Sequence, residues 1–177
     1  MRKGMKNLLR VMLLSFLVLF GIQQPYQAQA ASGTIRYEDG ERYVGKYNAK
    51  TERKEGKGKY YCNNGCVITG TWKNDYLTGK ATAVYRNKDK YVGYFKYDQR
   101  NGSGTYIWKN GDRYKGSWKD DVMNGKGKYT WKNKNYVTGT WKNGKLNGKA
   151  ILKIRKYKYS IRVSNGKLKK VYSRKKA

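Results

Sequence analysis

The sequence predicts an all-β fold, an elongated single-sheet antiparallel β-meander built from about five hairpin units of 23 residues. Three observations carry this expectation. A five-residue glycine-centred motif recurs in phase, a second glycine recurs behind it, and the composition offers little to a helix or to a thick core. There are 21 glycines but one proline, and 18 tyrosines and 5 tryptophans against three phenylalanines. Glycine weakens helices, and a hydrophobic fraction of 38% supplies little aliphatic material for two packed layers.

Residues 1–30 have the three zones of an export signal. Arg2, Lys3, Lys6 and Arg10 form a basic start, Val11 to Ile22 an apolar run, and Ala28-Gln29-Ala30 a small-x-small cleavage site, so cleavage is expected after Ala30. The apolar run is short for spanning roughly 30 Å of hydrocarbon. Retention as an N-terminal anchor is the alternative. Export places the chain outside the cell, at the cell surface or in the periplasm. The whole sequence carries a net charge of +30, and residues 31–177 keep +26 once those four basic residues are gone.

The repeated motif reads Tyr43-Val44-Gly45-Lys46-Tyr47, Ile68-Thr69-Gly70-Thr71-Trp72, Tyr91-Val92-Gly93-Tyr94-Phe95, Tyr114-Lys115-Gly116-Ser117-Trp118 and Val137-Thr138-Gly139-Thr140-Trp141. Its starts lie 25, 23, 23 and 23 residues apart, which sets units at 43–67, 68–90, 91–113, 114–136 and 137–159. The second glycine falls at Gly56, Gly79, Gly102, Gly125 and Gly148. The extra residues of the first unit lie in a turn, where insertions cost least.

Each unit reads as a two-stranded hairpin. By strand alternation Tyr114, Gly116 and Trp118 share one face, and Gly125, Gly127, Tyr129 and Trp131 share a face of the second strand. Asn, Asp and Gly clusters between the strands tolerate the left-handed backbone of tight hairpins. Glycine inside a strand is unfavourable unless something uses the bare backbone. Here an aromatic ring from a neighbouring strand is expected to lie over it. Tyr43, Tyr47, Trp72, Tyr91, Phe95, Tyr114, Trp118 and Trp141 are thus structural aromatics, and Gly45, Gly70, Gly93, Gly116 and Gly139 their glycine partners.

The pattern Tyr-x-Gly-x-Trp-x-x-Gly, then Gly-x-Gly and an Asn-Gly turn, resembles the MORN (membrane occupation and recognition nexus) repeat, in a secreted bacterial-type setting. Residues 114 to 136 are the closest copy. Ile68 and Val137 depart from it at the first Tyr, and Ala81 and Ala150 at the third Gly. Gly33 to Arg42 aligns with Gly104 to Arg113, making 31–42 a half-repeat. The resemblance implies an elongated meander with roles in membrane association, partner scaffolding or dimerisation, and no fixed chemistry.

Residues 160–177 read as capping strands and a basic tail, the last hairpin turning at Asn165-Gly166 and carrying Lys167, Lys169 and Lys170 along an open edge. Edge lysines discourage end-to-end pairing. Cys62 and Cys66 flank Asn63-Asn64-Gly65, so a disulfide across the turn and two thiols held apart by register are both open.

No histidine is present, which removes the usual general base, triad member and metal ligand. Asp39, Asp98, Asp112, Asp120 and Asp121 fit turn positions. Glu38, Asp39 and Glu41 cluster, yet a turn explains them better than a glycosidase pair does. No enzyme, cofactor, metal or small-molecule substrate is expected. Binding is assigned instead to two lysine series, Lys73, Lys96, Lys119 and Lys142 after the motif aromatic, and Lys57, Lys80, Lys126 and Lys149 after the second glycine. Solvated turn lysines are the bland reading of any single member. The leading expectation is an anionic cell-wall polymer, glycan or phospholipid surface. A protein partner or homodimer comes next, and extracellular nucleic acid third.

Overall fold

The computed structural model describes residues 30–177, and the expected export signal, apart from Ala30, lies outside the described residues. Thirteen strands form one open antiparallel sheet in sequence order. They are β1 (Ala30–Arg36), β2 (Arg42–Asn48), β3 (Lys54–Tyr61), β4 (Val67–Lys73), β5 (Tyr76–Val84), β6 (Lys90–Lys96), β7 (Gln99–Ile107), β8 (Arg113–Lys119), β9 (Val122–Thr130), β10 (Tyr136–Lys142), β11 (Lys145–Ile154), β12 (Tyr157–Ser164) and β13 (Lys167–Lys176). At the usual strand spacing the sheet extends about 60 Å. No helix occurs among the described residues, as the glycine content and period-2 patterning dictate.

One face of this sheet is the core. Tyr43, Tyr91 and Tyr114 are fully buried, and Trp72, Phe95, Trp118 and Trp141 nearly so. The rings meet edge to face across the units: Trp118 stands 5.4 Å from Tyr91 and 5.3 Å from Tyr114, and Trp141 stands 5.2 Å from Tyr114. A single layer is stable because this aromatic column lies on bare backbone. A Cβ on Gly116 would lie 2.5 Å from the Tyr114 hydroxyl and 2.6 Å from the Gly127 Cα, and one on Gly127 would fall inside the same ring. The ring covering Gly116 therefore comes from two residues earlier in its own strand, and only for Gly127 is it a neighbouring strand's. Tyr47 stands apart from the column. It is half-buried and lies over Gly33 of β1.

The two departures from the repeat pattern are one compensation. Where the first position is Tyr, the third glycine is kept at Gly58, Gly104 and Gly127. Where Ile68 and Val137 replace the Tyr, Ala81 and Ala150 replace the glycine, and Leu77 and Leu146 fill the vacated space. A Cβ on Gly70 would lie 2.6 Å from the Ala81 Cβ and 2.7 Å from Leu77 Cδ1. The tyrosine units carry Lys54, Arg100 and Met123 at the leucine position. Arg100 lays its guanidinium 4.5 Å from the Trp118 ring centroid.

Every hairpin within a unit has the same irregularity. Between the pairs Gly116–Gly127 and Trp118–Met123 the first strand advances two residues and the second four. The extra length holds Gly125 at φ +103°, and Gly56, Gly79, Gly102 and Gly148 also have positive φ. Pairing between units, as β7 with β8 and β9 with β10, runs unbroken. The bulge corrects the expected alternation. Gly125 does not share a face with Gly127: its missing side chain would point at Ser117, at 2.9 Å, whereas Gly127 faces Tyr114. Trp131 falls beyond β9, and its ring still packs against Tyr129 at 5.3 Å, on the side expected for it. A positive-φ bulge re-aims the chain and bends the strand, and here it does so once per unit.

At the C-terminus β12 buries Ile161 and Val163, while β13 is exposed throughout after a tight turn at Asn165 (φ 50°) and Gly166 (φ 77°).

Candidate anion-binding face

The side chains opposite the aromatic column form a basic and hydroxyl-bearing face. Strand alternation places Lys57 and Lys59 there on either side of Gly58, Lys115 and Ser117 around Gly116, and Lys126 and Lys128 around Gly127. Register aligns them: Lys57 pairs with Thr71, Lys80 with Tyr94, Lys126 with Thr140 and Lys149 with Arg162. Lys73, Lys96, Lys119 and Lys142 end strands β4, β6, β8 and β10, and all eight candidate lysines are exposed. Lys73, Lys96 and Lys142 stand two residues beyond Thr71, Tyr94 and Thr140. The two series are thus parallel rows on one face, one at the rim and one further in.

Lys59, Lys115 and Lys128 were not singled out in the sequence, because they follow neither the motif aromatic nor the second glycine. Taking the residues immediately on either side of each central glycine would have found them. Lys115 and Lys128 are directly opposite each other in the β8–β9 pairing.

The acidic residues are elsewhere. Only Glu55 of the eleven lies in a strand. The turn acids do more than shape turns, since they join successive units. At one edge Asp75, Asp98 and Asp121 accept the backbone N–H of Lys54, Leu77 and Arg100, at 2.8, 2.7 and 3.0 Å. At the other edge Asp89 accepts the Tyr106 hydroxyl at 2.7 Å and the Lys109 N–H at 2.8 Å, and Asp112 accepts Tyr129 at 2.7 Å and Lys132 at 2.9 Å. Glu41 takes the Tyr60 hydroxyl, and Asp39 accepts the Glu41 N–H at 3.0 Å, so this cluster too is committed to hydrogen bonds. Burial pushes the Asp89 carboxyl up, but the Tyr106, Lys109 and Asn87 donors outweigh it and hold the group below the ordinary aspartate range. The Tyr129 hydroxyl does the same for Asp112.

Burial also raises the core phenols, and with no donors to outweigh it Tyr43 and Tyr114 are pushed up to about 12. A group whose folded pKa lies above its unfolded value of 10.0 contributes stability that is complete below pH 10 and lost as pH rises through about 12. Tyrosinate absorbance from these buried rings is therefore expected only as pH rises through about 12, coinciding with loss of the sheet's circular dichroism. A single step near 10 with the sheet intact would contradict the burial of these rings.

Cys62 and Cys66 occupy the turn position where other units have Tyr85 and Asp89 or Trp108 and Asp112, with the same closing backbone bond, Cys62 N–H to Cys66 C=O at 3.0 Å. Their Cα atoms lie 5.0 Å apart and the sulfurs are joined. This turn lacks the carboxylate that would join it to the next unit, and the covalent link closes it instead.

Two solved structures from Drosophila melanogaster are similar to the chain. The TCP10c domain of Sas-4 shares 14% identity at a TM-score of 0.40, covering 82% of this chain and 98% of that one. The SAS-4 TCP domain in complex with a proline-rich motif of Ana2 shares 14% identity at a TM-score of 0.25, covering 91% and 98%. Likeness this remote says nothing about partners. A comparison with curated protein sequences found no match. The MORN repeat family model matches residues 53–67, 69–90, 91–113, 114–136 and 138–155, five successive stretches that together exceed half the sequence; the last four coincide with bulged hairpins described above, and the first covers β3, the second strand of its hairpin. The chain belongs to the MORN repeat family.

Proposed function

We propose that this is an exported, non-catalytic MORN-repeat protein that binds an anionic polymer or head-group surface outside the cell through its lysine face. The observation carrying this reading is the segregation of charge. The acids are confined almost wholly to turns, where hydrogen bonds between units occupy most of them, and the opposite strand face keeps its lysines without carboxylate neighbours. Arg53, Lys54 and Arg100 form ion pairs with turn aspartates, and none of these is one of the eight candidate lysines. Cationic rows of this kind attract polyanions by overlapping potentials and released counterions.

A protein-scaffold reading is favoured by one feature, the exposed Leu168, Val171 and Tyr172 on the outermost strand. Nucleic acid is disfavoured. Single-strand binders interleave charge with stacking rings, and here most rings are consumed by the column on the other face. Tyr61, Tyr94 and Tyr136 do reach the lysine side, but Lys59 and Lys128 already cover Tyr61 and Tyr136, at 5.0 and 3.8 Å, which leaves Tyr94 beside Lys80 as the exposed ring.

The test is Lys73→Gln, Lys96→Gln, Lys119→Gln and Lys142→Gln combined, with binding to isolated cell walls, anionic vesicles and DNA followed across a salt series. The quadruple variant is expected to melt with the wild type, since exposed lysines contribute little to stability. On a single-strand-like polyanion its salt slope is expected to fall by about 0.7 for each phosphate that a substituted lysine had neutralised. Undiminished binding to every polyanion would leave the scaffold reading in front.

A further inference from the structure

The lysine face is concave. Three cavities of about 550, 630 and 380 Å³ lie along it. The first and second share Lys80 and Val92, and the second and third share Lys126 and Thr138. They are one trough, running across the strands from Val44 of β2 to Tyr172 of β13. Its floor is glycine backbone, such as Gly58, Gly104, Gly116 and Gly127, which is the reverse side of the backbone that the tyrosine rings cover. The once-per-unit bulge supplies the bend that makes a trough of a sheet.

Its width is set by strand geometry. The inner rows, exemplified by Lys126 and Lys128, are two residues apart along a strand, about 7 Å. One extended chain fits between them. A bilayer plane can reach only the rims.

The chemistry of the walls is specific. In the central cavity Lys115 and Lys128 face each other across paired strands, with Lys80 and Lys126 lining the same cavity. Like charges directly opposite destabilise a sheet, and no acid lines this cavity. Lys128 is held in place over the Tyr136 ring, 3.8 Å from its centroid. Ser103, Thr105 and Ser117 stand between the cations and offer hydroxyl donors, while Thr138 already donates to the Gly127 carbonyl at 3.3 Å. Ammonium groups at successive strands suit the charges of a linear phosphate chain, and the hydroxyls between them suit its remaining acceptor oxygens. Stacking surface is scarce, Tyr94 being the one ring that lines this central cavity.

We infer that the trough is the binding site of a single extended phosphate-bearing polymer, laid across the strands along the sheet axis, with Lys115 and Lys128 as its central contacts. This rests on the anionic-ligand reading above and narrows it from any anionic surface to a linear phosphate chain.

The experiment compares the full-length chain with Lys115→Gln/Lys128→Gln, using inorganic polyphosphate of graded length, phosphatidylglycerol vesicles and an oligothymidylate of matched charge. Polyphosphate affinity is expected to rise with length until the polymer spans the trough and then to level. The double variant should lose about tenfold in polyphosphate affinity at low salt, with a salt slope smaller by about 1.4, and lose much less on vesicles. Its melting temperature should hold or rise, because two opposed cations have been removed. Equal losses on vesicles and polyphosphate, or affinity independent of polymer length, would overturn the trough and leave the basic face as a general anionic surface. Tighter binding of oligothymidylate than of polyphosphate, abolished by Tyr94→Ala, would overturn it in favour of nucleic acid. Failure of the wild type to bind either polyphosphate or vesicles at low salt would remove the proposed function itself.

Discussion

Gly127→Ala is expected to destabilise the sheet by about 3 kcal/mol, the upper end of ordinary overpacking costs, and Tyr114→Val with Met123→Leu in the same chain is expected to recover most of that loss. The new Cβ would enter the ring of Tyr114, which is fully buried and also covers Gly116. The ring has nowhere to go, since Trp118 and Trp141 stand edge-on to it at 5.3 and 5.2 Å. The next unit already contains the alternative solution: Val137, Leu146 and Ala150 occupy the places of Tyr114, Met123 and Gly127. Transplanting that trio should therefore be nearly neutral although its alanine alone is not. Chemical denaturation of the single, double and triple variants checks this. Additive effects with no recovery would mean that the positions are not coupled through the ring.

Trp118→Ala should cost about 3–5 kcal/mol. The indole bridges the tyrosines of two units, packs against the Arg100 guanidinium and donates from Nε1 to the Gly104 carbonyl at 3.4 Å. In a repeat sheet stability is largely the sum of unit and neighbour terms, so breaking the joint between the units of Tyr91 and Tyr114 is expected to separate the melting of the two halves. Phe95 holds the equivalent place one unit earlier and is itself buried. Trp118→Phe should accordingly retain most of the stability. Trp131, 36% exposed in a turn, should lose far less on the same truncation to alanine. Similar losses for Trp118 and Trp131 would contradict the aromatic column.

The sequence by itself determined the sheet, its period and its hairpins, because each rests on local rules. Alternation assigns side chains to faces within a strand, Asn, Asp and Gly mark turns, and a 23-residue recurrence fixes which strands are equivalent. It also showed Ile68, Ala81, Val137 and Ala150 as departures, but as separate ones. Their coupling needed the pairing register, which packs Ala81 on Gly70 and Ala150 on Gly139 where the other units place a tyrosine ring. The turn acids were legible as turn formers, and their second role was not. Asp89 reaches Tyr106 and Lys109 only because successive units stack side by side. Alternation failed at Gly125, where positive φ turns the backbone over and the period-2 rule no longer applies across the bulge. The trough is the most distant from the sequence. Its depth is the accumulated bend of one bulge per unit over successive strands, and its charge pattern comes from Lys115 and Lys128, residues of different strands that only antiparallel pairing sets face to face. Curvature and cross-strand charge are properties of the assembled sheet, set by contacts between units that no single repeat contains.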